Sequence, residues 1–202
     1  CEEEDLFLAS RVAGTGLGAV TYSSLERAGQ VLLVALEPED ECGAMFRRLR
    51  KATRKSGLKV ATVAPFTSNG SRKMNARVLH AAPGAEPGVV DAIAAGGAHA
   101  DLAESLSGGI VLVGERAARV PGLLSAVVAL AERTGARLAW VPRRAGDRAA
   151  IEAGLLPGLA PFGRTIDEAG AADLGWGELP ERGLDAEQMI EAAAAGEPKA
   201  LV

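Results

Sequence analysis

The sequence predicts an α/β protein with a parallel sheet. Three observations carry this. Val31–Leu36 (VLLVAL) and Ile110–Val113 (IVLV) are unbroken apolar runs, the composition of strands covered on both faces. A strand, a helix-spaced segment and a second strand occur in that order twice. Hydrophobic residues make up 48% of the 202 positions while aromatics make up 3%, so a sizeable core is available and is built of Ala, Val and Leu. Repeated strand–helix–strand units imply a Rossmann-like sheet with crossover helices.

The elements follow in order. Glu2 to Ala13 carries Leu6, Phe7, Ala9 and Val12 at roughly helical spacing and reads as a short helix. Gly14, Gly16 and Gly18 come next. A dinucleotide fingerprint follows a strand, not a helix, so these glycines read as a flexible helix exit. Val31–Leu36 is the first strand. Glu39 to Lys55 reads as one helix, with Met45, Phe46, Leu49 and Ala52 on one face. Ser56-Gly57 turns the chain into the second strand, Leu58–Val63. Pro83-Gly84 precedes a helix over Glu86–Ala95. Ile110–Val113 ends on Gly114, Gly122 to Thr134 is a helix, Gly135 a turn and Arg137–Val141 a strand. Val31 and Ile110 are 79 positions apart, and Gly57 and Gly135 are 78 apart. RKSGLKVATVAP thus matches ERTGARLAWVPR.

Gly154 to Gly183 is rich in Gly and Pro, an unusual length of irregular chain in a compact domain. It is expected to be functional or to lie along a partner, with Trp176 as its anchor. A helix over Asp185–Ala195 follows. Lys199–Val202 reads as the start of a strand, so the chain is expected to be a piece of something longer. The Pro-Gly hinge and its helix suggest two adjoining α/β lobes, residues 1–98 and 99–202.

Composition excludes several function classes. A net charge of −4 leaves no electrostatic footprint for nucleic acid. Cys1 and Cys42 cannot form a disulfide framework or a four-thiolate metal site, and they fit a reducing cytoplasmic location. No apolar run is long enough to span a membrane, and no signal-peptide pattern is present. His80 and His99 lack carboxylate or thiol partners at ligand spacing. There is no nucleophile elbow and no phosphate-loop Gly-Lys-Ser/Thr.

The chemical question lies after the first strand. In an open parallel sheet the turns after the strands bind ligands, and phosphate-binding turns offer glycines and bare N–H groups. Here the turn reads Glu37-Pro38-Glu39-Asp40-Glu41. As helix chemistry it is sound: Pro near a helix start, acids in the first turn, and Arg47, Arg48, Arg50, Lys51, Arg54 and Lys55 towards the negative end. That basic cluster reads as a solvated face. As ligand chemistry it is repulsive. Two like charges ~4 Å apart cost about 4 kcal/mol at an effective dielectric near 20. Cys42 beside these acids is a poor nucleophile. The turn after the second strand, Thr67 to Lys73, could take an anion through Ser68, Ser71, Arg72 and Lys73. Gly114-Glu115-Arg116 again places an acid at a ligand position.

The ordered motifs VLLVALEPEDE, RLRKATRKSGLKVATVAPF, LHAAPGAEPGVVDAI, IVLVGERAA and IEAGLLPG resemble the molybdopterin-oxidoreductase-like part of the family of G subunits of NADH-quinone oxidoreductases. The resemblance covers about Gly29 to Val202. The wider molybdopterin family binds a pterin dinucleotide at its strand ends. Its Gly-x-Asn-Pro loop stands here as Leu36-Glu37-Pro38. Its Asp-Pro-Arg loop is Ala64-Pro65-Phe66, and its Pro-Gly-Thr-Asp is Pro83-Gly84-Ala85-Glu86.

The resemblance therefore implies a vestigial pocket formed by Glu37, Pro38, Glu39, Asp40, Pro65, Gly84, Glu86 and Gly114, with no catalytic or metal-binding residue. It implies a scaffold and interaction domain of the peripheral electron-transfer arm, partnered by the other subunits on the cytoplasmic side of a bacterial plasma membrane. [4Fe-4S] and [2Fe-2S] clusters are expected in a larger parent chain, outside this segment. Two alternatives stand beside it: a working molybdopterin- or nucleotide-binding oxidoreductase domain, and a Rossmann-like domain such as the middle domain of a thiamine-diphosphate enzyme.

Overall fold

The structure, a computed structural model, describes residues 2–13, 20–156, 158–161, 164–166, 168–179 and 183–197. The expected exit glycines Gly14, Gly16 and Gly18, and the expected strand start at Lys199–Val202, lie outside the described residues. The elements are α1 (Glu2–Phe7), a π-helical turn (Leu8–Val12), α2 (Tyr22–Arg27), β1 (Gln30–Val34), α3 (Pro38–Glu41), α4 (Gly43–Lys55), β2 (Lys59–Ala64), α5 (Asn69–Lys73), β3 (Arg77–His80), α6 (Glu86–Ala95), a 3₁₀ turn (Gly97–His99) and α7 (Ala100–Ser105). They continue with β4 (Ile110–Gly114), a 3₁₀ segment (Glu115–Arg119), α8 (Leu123–Thr134), β5 (Arg137–Val141), α9 (Asp147–Glu152), β6 (Leu159–Ala160), β7 (Arg164–Thr165), α10 (Glu168–Asp173) and α11 (Ala186–Ala194).

Five strands form one parallel sheet in the order β3-β2-β1-β4-β5. Val31 of β1 is in register with Val60 of β2 on one side and Ile110 of β4 on the other. The expectation of two lobes, 1–98 and 99–202, is corrected by this pairing, because both repeats share a sheet. The reason is visible in the strands. β1 and β4 are buried at every position, so each needs a neighbour on both edges to satisfy its backbone groups. Pairing them puts both in the middle. β3 and β5, with exposed Arg77, His80 and Arg137, take the edges.

The strand alternation feeds two cores. Leu32, Val34, Val111 and Val113 face one side, where Val90 and Ile93 of α6 and Leu123, Val127 and Leu130 of α8 cover them. Val31, Leu33, Ile110 and Leu112 face the other, under Leu25 of α2 and Phe46, Leu49 and Ala52 of α4. Spacing at three residues gives α4 that stripe. Its opposite face is solvated, as expected: Arg47, Arg48, Lys51, Arg54 and Lys55 are exposed and Arg50 half-buried. Arg48 and Lys51 reach Glu26 of α2 at 3.1 and 3.6 Å.

Several boundaries differ from expectation. β1 stops at Val34, because Ala35 adopts a left-handed conformation (φ 49°) and ends the pairing. The helix expected over Glu39–Lys55 is two helices, broken where Cys42 takes φ −153° and ψ 72°. α2, α5 and β3 had no clear apolar period and were not legible. The 154–183 stretch is not structureless among its described residues: β6 pairs antiparallel with β7, and α10 follows. Trp176 is not its anchor. Trp176 is 47% exposed, and it is Ala171 that is buried, its carbonyl accepting the Trp176 backbone N–H at 2.9 Å.

The N-terminal helix supplies a cap that α8 lacks. Gly122, at the N-cap of α8, has no side chain to accept the free N–H groups. Glu3 accepts instead, from Gly122 N–H, Ser125 N–H and the Ser125 hydroxyl, each at 2.9 Å. Burial pushes the Glu3 carboxyl up, but these hydrogen bonds outweigh it and hold its pKa below the usual 4.5. A depressed carboxyl pKa contributes stability above the unfolded value and loses it as pH falls through the folded one. Glu3→Ala is expected to cost about 1 kcal/mol near neutral pH. Denaturant titrations at about pH 7 and about pH 3 should show that deficit shrinking at the acid end. A deficit unchanged across that range would contradict the capping role.

Candidate functional site

The carboxyl edge of the sheet gathers the turns after β1, β2, β4 and β5. The turn after β1 is central, since β2 flanks it on one side and β4 on the other. Glu37 is the N-cap of α3 and Pro38 its first residue, the expected helix-start chemistry. Pro38 is buried and Asp40 is exposed. The Glu37 carboxylate accepts the Glu39 N–H at 3.3 Å. Glu39 pairs with Lys73 of α5, and the Lys73 ammonium lies 6.0 Å from the centre of the Phe46 ring.

Glu41 is the centre of the arrangement. Its side chain is 8% exposed. Oε1 accepts from Arg116 Nη2 at 2.8 Å and from Glu37 N–H at 2.8 Å. Oε2 accepts from Arg143 Nε at 3.1 Å. Arg116 follows β4 and Arg143 follows β5, so one carboxylate ties three strand ends. Glu39 and Lys73 add the end of β2. The break at Cys42 ends α3 directly after Glu41, before α4 begins.

Two glycines allow this closeness. A side chain at Gly70 would meet the Glu37 carboxylate and come within 3.1 Å of Glu39 Cβ. At Gly114 it would meet the Ala35 carbonyl oxygen and lie 3.3 Å from Leu36 Cβ. Gly114 therefore sits against the turn after β1. Pro65 is exposed beyond β2. Gly84 (φ 89°) and Glu86 follow β3, two strands from β1, and Glu86 opens α6.

The Thr67–Lys73 turn is held by contacts within the fold. Ser68 Oγ accepts the Ser71 N–H at 2.9 Å and caps α5. Arg72 donates to Asn69 Oδ1 at 3.0 Å, and Lys73 serves Glu39. Cys42 is pushed up to about 11, by burial first and then by the charges of Glu41 and Glu37. A thiol so raised stays protonated and is a poor nucleophile. Glu115 is also raised, by burial and by its hydrogen bond with Asp147. Among the described residues no group of three or more His, Cys, Asp or Glu is placed to hold a metal ion.

A cavity of about 670 Å³ opens beside Glu41, between α2, the start of α4 and edge strand β5. Leu25, Met45, Leu112 and Val141 give it apolar lining, and Arg143 and Cys42 reach it. Sequence reasoning missed Glu41 as the buried hub and Arg116 and Arg143 as its partners. A signal was present: bases follow two strands of the later repeat, while acids follow the first strand.

No protein-family model matches the chain. A segment of the G subunit of NADH-quinone oxidoreductase from Mycobacterium tuberculosis (strain CDC 1551 / Oshkosh) is 50% identical over 198 residues, 95% of this chain and 24% of that protein. The Mycobacterium bovis protein of the same name gives the same values. The Streptomyces coelicolor protein of that name is 45% identical over 225 residues, 99% of this chain and 27% of that protein. The chain thus spans about a quarter of the length of the curated relatives it matches.

Proposed function

We infer the function from one premise: the chain is homologous to part of the G subunit of NADH-quinone oxidoreductase. On this reading it is a non-catalytic scaffold and interaction domain in the peripheral electron-transfer arm of that respiratory complex. Its fold is a molybdopterin-oxidoreductase-like sheet whose pterin-dinucleotide pocket is vestigial. The other subunits of the arm are its partners. The [4Fe-4S] and [2Fe-2S] clusters of the parent chain lie outside this segment. The complex holds it on the cytoplasmic side of a bacterial plasma membrane. Among the described residues no helix is long and apolar enough to cross a membrane.

The carrying observation is the strand-end turn itself. Where a ligand's phosphate would need free N–H groups and cations, Glu41 and Glu39 occupy Arg116, Arg143 and Lys73. A second observation supports the interaction role. Leu155, Ile166, Trp176, Leu184, Met189 and Ile190 are exposed large apolar residues concentrated in the last fifty or so positions. Exposed apolar side chains of this kind suit cover by a partner where they adjoin on the surface.

One cavity feature favours the rival reading, a working nucleotide site: about 670 Å³ is of ligand size. A thermal titration with GDP separates the two. A nucleotide at about 100 times its Kd would add about 2.7 kcal/mol and raise Tm by several degrees. The scaffold reading expects no shift. Its positive test is deletion of this segment from the full-length protein in a bacterial host. The expected result is loss of assembled, NADH-oxidising complex from the membranes. Normal assembly and turnover without the segment would refute it.

A further inference from the structure

We propose that Arg116 and Arg143 form a receptor for a phosphate-bearing small molecule, which Glu41 holds closed with its own carboxylate. The inference rests on the scaffold reading and names the group that closes the pocket. The Glu41 carboxylate takes two guanidinium donors and the Glu37 N–H, at 2.8, 3.1 and 2.8 Å. Charged donors converging on one oxyanion from separate elements are the shell that binds a phosphate. Their position agrees. They come from the turns after β1, β4 and β5, at the carboxyl edge where β1 and β4 adjoin. In open α/β sheets that crevice is the ligand site.

On its Arg143 side the receptor borders a space for the rest of a ligand. Glu41 and Arg143 are both in the wall of the 670 Å³ cavity, over the apolar floor of Leu25, Leu112 and Val141. Of the other arginines of that wall, Arg11 pairs with Glu132 and Arg148 with Glu152, while the exposed Arg144 comes only to 3.9 Å from Asp147. Removing Glu41 releases the Arg116–Arg143 pair. An attached carboxylate has no association entropy to lose, so it excludes a free phosphate at ordinary concentrations.

The test is titration of the 202-residue chain with inorganic pyrophosphate, by calorimetry, in the wild type and in Glu41→Ala. The variant is expected to bind at least about tenfold more tightly than the wild type. Adding Arg116→Gln and Arg143→Gln to Glu41→Ala should abolish the gain. A folded Glu41→Ala chain that binds no better, or a gain that survives loss of both arginines, overturns the inference and leaves the scaffold reading standing. Wild-type binding as tight as the variant's overturns both. Should Glu41→Ala not fold in buffer, recovery of its far-UV spectrum by pyrophosphate, but not by sodium chloride of equal ionic strength, supports the receptor. Failure to recover counts against it.

Discussion

Gly114→Ala is expected to destabilise the chain by on the order of 3 kcal/mol, although the backbone there suits alanine. Gly114 has φ −88° and ψ 162°, an extended conformation open to any residue. On conformational grounds alone the substitution would stabilise slightly, by restricting the unfolded chain. The loss is steric. The new methyl would run into the Ala35 carbonyl oxygen, lying 3.2 Å from its carbon and 3.3 Å from Leu36 Cβ. A backbone carbonyl cannot swing aside as a side chain can. The ends of β1 and β4 must part, which also loosens the grip of Glu41 on Arg116. Gly29→Ala is the matched control, because nothing lies within 4 Å of a Cβ there. Paired denaturant titrations should show a large drop for Gly114→Ala and none for Gly29→Ala. Equal stabilities would mean that the β1–β4 end is not closely packed.

Leu32→Ala is expected to cost about 4 kcal/mol, towards the upper part of the range for buried leucines. Leu32 is 0% exposed in the central strand, with Ala61 and Val111 beside it in register. β1 is hydrogen-bonded along both edges and cannot shift to fill the space. Small Ala61 offers no side chain to do so. For a chain of this length such a loss lowers Tm by roughly 10 °C. Ile190→Ala on α11, where Ile190 is 65% exposed, should stay within about 0.5 kcal/mol of the parent. Calorimetric scans of the two variants decide this. A mild effect at Leu32 would place the centre of the core elsewhere.

The legible part of the fold was the part written in local apolar pattern. β5 and α6 lie where the spacing puts them, over Arg137–Val141 and Glu86–Ala95. β4 extends the expected run by Gly114 alone. α5 and β3 were hidden because five- and four-residue elements offer too few positions to show a period. The division of α3 from α4 was missed too. Pro38 and the acids after it suit a helix start, and Gly43 directly after Cys42 is the local signal of the break. At the candidate site, the sequence placed the acids and Gly114 after strands but did not show the partners of the acids.

The sequence by itself determined four of the five strands of the sheet, β1, β2, β4 and β5, that β1 and β4 are covered on both faces, and that the turn after β1 carries negative charge. Those are properties of neighbouring residues, set by apolar runs and helix-start chemistry. Only the tertiary structure decided that the two repeats share one sheet and that Glu41 pairs with both Arg116 and Arg143. Glu41 is 75 positions from Arg116 and 102 from Arg143. No local pattern joins residues so far apart. They meet because the strand order β1-β4-β5 brings three carboxyl-end turns side by side, and because glycine at position 114 lets those turns close.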